Sequence, residues 1–366
     1  MPASPSDKSR KLGQSQLLWG ALVVAACVAG GSLECQRPAL SPVEEHGRQL
    51  YTKMCSVCHG VEGEGYKADQ APAIGHPDFL ATASDAYLKT AIIAGRSGTT
   101  MSAWSIVHGG PLSATDVDAL VGYLRQWGPS ARAALDESPL RGDATRGQAI
   151  YARECTRCHG DRGIGGPNVH IGGLDFLRSA TNGYIRYIVH KGRSRTAMPS
   201  FEKTLGGQDI EDAVAYLRGL AKTNPPPAAR PVARPPPIPL GPVPLNPRGP
   251  EPVGFLTYPQ NTPAAVIKAQ LDRHAKMAIL DARAPSDYAM SHIAGAVSVP
   301  FYDPNPYFDK LPKDSWLVCY CSCPHAESGM LAAALQKQGF KKVTVIAEGL
   351  PTWTSRNYGT STGNEP

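Results

Sequence analysis

The string Cys-x-x-Cys-His occurs twice, as Cys55-Ser56-Val57-Cys58-His59 and as Cys155-Thr156-Arg157-Cys158-His159. Equivalent positions are one hundred residues apart. This spacing is the pattern of covalent haem attachment: the two thiols add across the vinyl groups and the following His lies under the iron. The two sulfurs and the imidazole must meet three fixed points on one macrocycle, so little else in the local geometry is left open. A lone copy also suits a zinc half-site or a redox dithiol. Two copies with matching flanks argue against both, because Gly47-x3-Tyr51-x3-Cys55 and Gly60 recur as Gly147-x3-Tyr151-x3-Cys155 and Gly160. The repeat marks an internal duplication.

Each haem His needs a partner on the other face of the iron. The candidates are Met101, in Gly98-Thr99-Thr100-Met101-Ser102-Ala103-Trp104, and Met198, in Thr196-Ala197-Met198-Pro199-Ser200-Phe201. They follow His59 and His159 by 42 and 39 residues. His76 or His108 is the alternative to Met101, and His170 or His190 the alternative to Met198. After each Met the apolar spacing predicts an amphipathic helix. One places Val117, Leu120, Val121 and Leu124 on a single face with Ser113 as N-cap, the other Ile210, Ala213, Val214 and Leu217. Both helices contain Tyr-Leu-Arg, at 123–125 and 216–218. The order of helix, haem motif, loop, Met with an aromatic nearby and helix resembles the class I c-type cytochrome domain. It does so twice, over residues 43–128 and 142–222. The resemblance implies two all-α domains and two covalently bound haem c groups. These are attached through Cys55, Cys58, Cys155 and Cys158, with His59, Met101, His159 and Met198 as axial ligands. The first domain departs from the family in having Met-Ser where Met-Pro is common. Two irons with His and Met on both faces leave no position for substrate, which implies plain electron transfer. The short connection, 129–141, favours close haems.

Lys8, Arg10 and Lys11 precede an apolar run from Leu17 to Ala26, too short to span a bilayer and suited to a signal peptide. The run ends in Val24-Ala25-Ala26-Cys27, which resembles the lipobox of bacterial lipoproteins. Residues 1–26 are then a leader, Cys27 carries the lipid and 27–42 form a tether. An uncleaved anchor extending through Val28 and Ala29 is the alternative. Both readings export the chain to the bacterial cell envelope, facing the periplasm or outside. The nine cysteines form no spaced even framework once five are assigned to lipid and haem, so this is no disulfide scaffold. The formal charge of +6 shows no basic stripe, and nucleic acid is not an expected partner.

Thirteen of the 28 residues from 225 to 252 are proline. That density excludes helix and central strand and predicts, for 223–252, a polyproline spacer reaching roughly 85 Å at about 3.1 Å per residue. Such a spacer lets the last domain move relative to the haems. Beyond it, strands and helices alternate: a helix from Thr262-Pro263, strands at 277–280, 297–299, 316–321 and 343–346, and a helix from Ala326 to Gln338. The pattern predicts a mostly parallel α/β sheet with its site at the carboxyl ends of the strands. Leu280-Asp281-Ala282-Arg283, Asp287-Tyr288-x3-His292-Ile293-Ala294-Gly295-Ala296 and Glu348-Gly349-x3-Trp353 then resemble, in order, three blocks of the rhodanese family. They cover residues 253–358, with a tail at 359–366.

The resemblance implies a nucleophilic Cys directly after the central strand, carrying a persulfide. Cys321 occupies that place, with Cys323 as candidate resolving thiol. The loop Cys321-Ser322-Cys323-Pro324-His325-Ala326-Glu327-Ser328 is one residue longer than the common one, and Glu327 stands where an Arg is common. A carboxylate there repels thiosulfate. Three readings stand open: sulfur transfer at Cys321, a thiol-rich site for Cu(I) or Zn made by Cys321, Cys323 and His325, and an inactive binding fold. Cys319, Asp281, Arg283 and His292 read as fold residues. The whole chain reads as a membrane-anchored electron carrier between a membrane donor and acceptor or other redox proteins. The alternative is a sulfur-compound oxidoreductase or sulfurtransferase whose electrons leave through the haems.

Overall fold

The computed structural model describes residues 39–65, 68, 71–96, 98–224, 243, 246–322 and 325–366. The expected leader, Cys27, Cys35, most of the proline-rich segment and Cys323 lie outside the described residues.

The first helical domain runs α1 (Pro42–Met54), α2 (Ser56–His59), α3 (Pro77–Thr82), α4 (Asp85–Ala94) and α5 (Ala114–Arg125). The second repeats it as α6 (Ala144–Glu154), α7 (Thr156–His159), α8 (Leu174–Ser179), α9 (Asn182–Lys191) and α10 (Gly207–Thr223). Helix starts follow local chemistry. Ser41 and Glu44 form a capping box around Pro42, and Ser113 and Asp116 form another at α5. In both domains the first long helix crosses the last, α1 on α5 and α6 on α10. The repeated glycine is explained at that crossing. A Cβ on Gly47 would lie 2.1 Å from the Ala119 carbonyl oxygen, and one on Gly147 would lie 1.9 Å from that of Asp212. The predicted apolar faces of α5 and α10 are buried there. The shared Tyr-Leu-Arg has a cause too. Arg125 donates to the carbonyls of Leu80 and Ala83, each at 2.6 Å, satisfying the end of α3. Arg218 does the same for Leu177 and Ala180 at the end of α8.

The two helical domains pack with equivalent residues facing each other. Tyr87 and Tyr184, 97 positions apart, pack with their rings tilted by 32° and centroids 5.1 Å apart, and Phe176 meets Tyr87 edge-on at 6.2 Å. The Arg193 guanidinium lies 4.6 Å over Phe79 and donates to the Ala73 carbonyl at 2.6 Å. Its counterpart Arg96 donates to Ser179 at 3.3 Å. The equivalent arginines thus both reach the opposite domain, though to different partners.

The C-terminal domain contains α11 (Ala264–Asp272), β1 (Met277–Asp281), α12 (Pro285–Met290), β2 (His292–Ile293), β3 (Ala296–Ser298), β4 (Trp316–Tyr320), α13 (Ala326–Lys337), β5 (Val343–Val345), α14 (Gly349–Ser355) and β6 (Thr360–Ser361). Its main sheet has the order β3-β1-β4-β5 with every pairing parallel, while β2 and β6 form a small antiparallel ribbon. β1 and β4 are buried almost throughout, as the central strands of a covered parallel sheet must be.

The spacer reading set this domain apart from the helical ones. Instead it docks on the first of them. Ser286 donates to the Ala103 carbonyl at 2.8 Å, Ser102 bonds to the Asp287 carboxylate, and Trp104 meets Tyr302 at a ring distance of 5.7 Å. Helix α13 also packs against α2. Among the described residues no helix is long and apolar enough to cross a membrane.

Candidate haem and sulfur sites

Each Cys-x-x-Cys-His string folds as one helical turn. The His59 and Cys58 amides donate to the Cys55 carbonyl at 3.0 and 3.2 Å, and His159 and Cys158 do so to Cys155 at 3.0 and 3.1 Å. Residues three and four apart then share a face, which brings two thiols and an imidazole together. The chain leaves the turn through Gly60 and Gly160, at φ +82° and +78°, a conformation other residues adopt with strain. Tyr51 and Tyr151 fasten the turn by donating to the Gly60 and Gly160 carbonyls at 2.7 and 2.9 Å.

The imidazoles are oriented alike. Nδ1 of His59 is 2.9 Å from the Pro72 carbonyl oxygen, and Nδ1 of His159 is 2.8 Å from that of Val169. A carbonyl only accepts, so Nδ1 carries the proton and the Nε2 lone pair is left for a metal. Burial lowers the pKa of both rings, favouring that neutral form. Burial also pushes the thiols up, to about 12 for Cys55 and about 11 for Cys155. Thiols held protonated are poor redox nucleophiles, which counts against a dithiol site. These donors fit covalently held haem.

The two methionine loops match bond for bond. Arg96 N–H donates to the Met101 carbonyl at 3.0 Å, and Arg193 N–H to that of Met198 at 3.1 Å. The Thr99 and Thr196 hydroxyls each accept from the Met amide at 3.2 Å and donate to the Arg carbonyl at 2.7 and 2.9 Å. The sequence holds this as Arg-x2-Thr-x-Met in both copies, a signal missed when only Met and its aromatic neighbour were compared. Met101 and Met198 are half-buried against the core. The alternative histidines have no such matched setting. His76 precedes α3, His108 ends a short 3-10 turn, His170 accepts from the Gly165 amide at 3.3 Å, and His190 lies 3.7 Å from Glu202.

Cys321 sits at the carboxyl end of β4, fully buried, with its Sγ 3.2 Å from the Ser328 hydroxyl in the first turn of α13. Ser328 was not singled out from the sequence, since a lone Ser gives no signal there. Arg283 and Asp281 form a buried ion pair of 2.6 Å, and Arg283 reaches Ser322 at 3.3 Å. Tyr320 donates to Asp281 at 2.6 Å, so this pair frames the strand end. His292 stacks on Tyr288 with ring centroids 3.8 Å apart and bonds its carbonyl through Nδ1 at 2.8 Å, as a fold residue does. Cys319 is fully buried in the sheet.

Glu327 bears on the charge expected at this loop. It is 8% exposed, and burial beside Cys321 and Asp287 pushes its carboxyl well above the usual range. A raised pKa favours the neutral acid, which lessens the repulsion expected of a carboxylate there. Among the described residues no three His, Cys, Asp or Glu side chains gather to hold a metal ion. The metal reading depends on Cys323, outside those residues.

Comparison with known proteins agrees with both architectures. Residues 42–124 and 142–217 each match the family model of cytochrome c oxidase, cbb3-type, subunit III, and residues 263–356 match the rhodanese-like domain. A cbb3-type cytochrome c oxidase subunit FixP from Bradyrhizobium sp. (strain ORS 278) is 24% identical over 229 residues, covering 60% of this chain and 75% of that protein. A chain of the Kuenenia stuttgartiensis reducing HAO-like protein complex is 21% identical, covering 48% of this chain and 96% of its own, with a TM-score of 0.35. A rhodanese-like protein from Anabaena sp. is 27% identical, covering 28% and 92%, with a TM-score of 0.27.

Proposed function

Since the chain fuses a helical c-type cytochrome region to a rhodanese-like domain, we propose that it is an exported electron carrier holding two haem c groups, with a sulfane-sulfur site at Cys321. Bound haem c supplies one-electron oxidation and reduction. Cys55, Cys58, Cys155 and Cys158 anchor the two groups, His59 and His159 bind the irons, and Met101 and Met198 complete them. The observation that carries this reading is the duplicated frame: the same His-to-carbonyl bond and the same Arg-Thr-Met bonding occur in both domains. Cys27 provides the lipid anchor, and the domains lie at 43–128, 142–222 and 253–358. The partners are redox proteins of the envelope or a membrane donor and acceptor.

At the C-terminal site, the Cys321 thiolate attacks the outer sulfur of thiosulfate. The S–S bond breaks, sulfite leaves with the electron pair, and Cys321 keeps a persulfide. The docking of this domain on the cytochrome region, through Ser286, Asp287 and Tyr302, favours a second reading in which sulfur oxidation feeds the carrier.

Two measurements test these readings. Haem content of the purified protein is expected at two per chain, falling to one when Cys55 and Cys58 are replaced by Ala. The intact mass after thiosulfate or polysulfide treatment is expected to rise by one sulfur atom, and Cys321→Ser is expected to abolish the gain. A chain that gains no sulfur while its thiols still alkylate has a binding domain there, and the carrier function stands alone.

A further inference from the structure

The duplication provides an internal control. After Met101 come Ser102, Ala103 and Trp104; after Met198 come Pro199, Ser200 and Phe201 at the equivalent positions. Phe201 and Trp104 are both buried, and each amide donates to the helix below, Trp104 to Ile92 and Phe201 to Val189. The residues between differ sharply. Pro199 and Ser200 are exposed, and Ser200 donates only to its own domain, to the His190 carbonyl at 2.7 Å. Ser102 is 3% exposed and Ala103 0%. What reaches them is the C-terminal domain. The Ser102 hydroxyl donates to Asp287, the Ala103 carbonyl accepts from Ser286, and Tyr302 covers Trp104.

We propose that Ser286 and Asp287 are positioning residues for Met101, so that the rhodanese-like domain holds the axial methionine of the first haem in place and leaves that of the second alone. The inference rests on the assignment of Met101 and Met198 as axial ligands. A methionine loop swings away when exogenous imidazole competes for the iron, and whatever fastens the loop opposes that exchange. At Met101 the loop is held from both sides: the Arg96 amide on its own domain and the start of α12 from the docked one. At Met198 the start of the loop is held by the first helical domain, through Arg193 on the Ala73 carbonyl at 2.6 Å and the Ser194 amide on Asp78 at 2.7 Å, but among the described residues no docked domain reaches Pro199 and Ser200, which stay exposed. The Ser102 hydroxyl, itself buried, donates to the carboxylate of the half-buried Asp287, and hydrogen bonds to carboxylates are among the stronger kinds. Sequence comparison of the repeats points the same way, since the usual Met-Pro is kept at Met198 but replaced by Met-Ser where Asp287 needs a donor.

The test is imidazole binding to the full-length holoprotein, followed by the far-red methionine-to-iron band, with each haem assigned by Met101→Ala and Met198→Ala. In Asp287→Ala the first haem is expected to bind imidazole about tenfold more tightly, with the second unchanged. Ser102→Ala, which leaves the docked domain intact, is expected to give the same shift, and the double variant no more than either alone. Asp287→Asn, which still accepts from Ser102, returns most of the wild-type affinity. An equal response at both haems, or none at the first, overturns the proposal while the band itself upholds methionine ligation. Absence of the band in the unaltered protein overturns the ligand assignment and the proposal with it.

Discussion

At the scale of single residues, Glu327 shows how position overrides residue type. Read as a side chain, it is an anion where the rhodanese resemblance leads one to expect a cation. Folded, it lies beside Cys321 and Asp287 with its carboxyl pushed well above the ordinary 4.5. The folded state therefore keeps a proton that the unfolded chain loses. Where the native state binds more protons, stability falls as pH rises. The contribution is intact below about pH 4.5 and is lost progressively as pH climbs toward the raised folded value, at no more than about 1.4 kcal/mol per pH unit. Glu327→Gln keeps the shape and removes the proton. Urea unfolding of the C-terminal domain between roughly pH 5 and 9 is expected to show a flatter profile in the variant, with greater stability at the alkaline end. A slope equal to that of the unaltered protein would place the titration elsewhere.

Among the elements, the two helix crossings explain what the repeat conserves within this chain. Gly47 and Gly147 look incidental beside the haem motif, yet each lets one helix touch the backbone of another. Gly47→Ala puts a methyl 2.1 Å from the Ala119 carbonyl oxygen. The backbone cannot yield as a side-chain tip can, so α1 and α5 must part, at about 1–3 kcal/mol. Chemical denaturation followed by far-ultraviolet circular dichroism should show that loss, while Gly122→Ala on α5, with only Glu44 within reach at 3.9 Å, should cost little. The elements themselves were legible because the signals are local: apolar spacing gave α5 and α10, and alternation of strand and helix gave the parallel sheet. The two Cys-x-x-Cys-His turns were legible because the motif's spacing is itself one helical turn. What was not legible depends on residues distant in the chain. Ser102 pairs with Asp287 across 185 positions, and no periodicity reports such a pair. The charge state of Glu327 likewise follows from burial, which its immediate neighbours do not specify.

Within residues 41–366 the described domains are packed against one another rather than strung apart. The helical domains meet through equivalent residues, and the last domain is seated on the first. The hinge of that packing is aromatic: Tyr87 packs on Tyr184, with Phe79 and Phe176 beside them and the Arg193 guanidinium over Phe79. Tyr184 is 6% exposed and Tyr87 7%, so the pair is as dry as a domain core. Domains joined by such a core unfold together, because melting one exposes the apolar face of the other. In the unaltered protein the two helical domains are therefore expected to unfold in one transition. Tyr184→Ala removes the ring, leaves Tyr87 without its packing partner, and costs about 3 kcal/mol by analogy with buried aromatic truncations. Its larger effect should be on cooperativity. Calorimetry is expected to resolve two transitions in the variant, with the second domain melting first because the first is also held by the C-terminal domain. Tyr151→Ala, an equally buried ring within the second domain, should lower the midpoint without separating the transitions in the same way. One unshifted transition in Tyr184→Ala would mean that the cohesion of the pair lies in the covalent connection at 129–141 and its anchors, such as Arg186 on the Asp136 and Ser138 carbonyls at 2.8 and 2.9 Å.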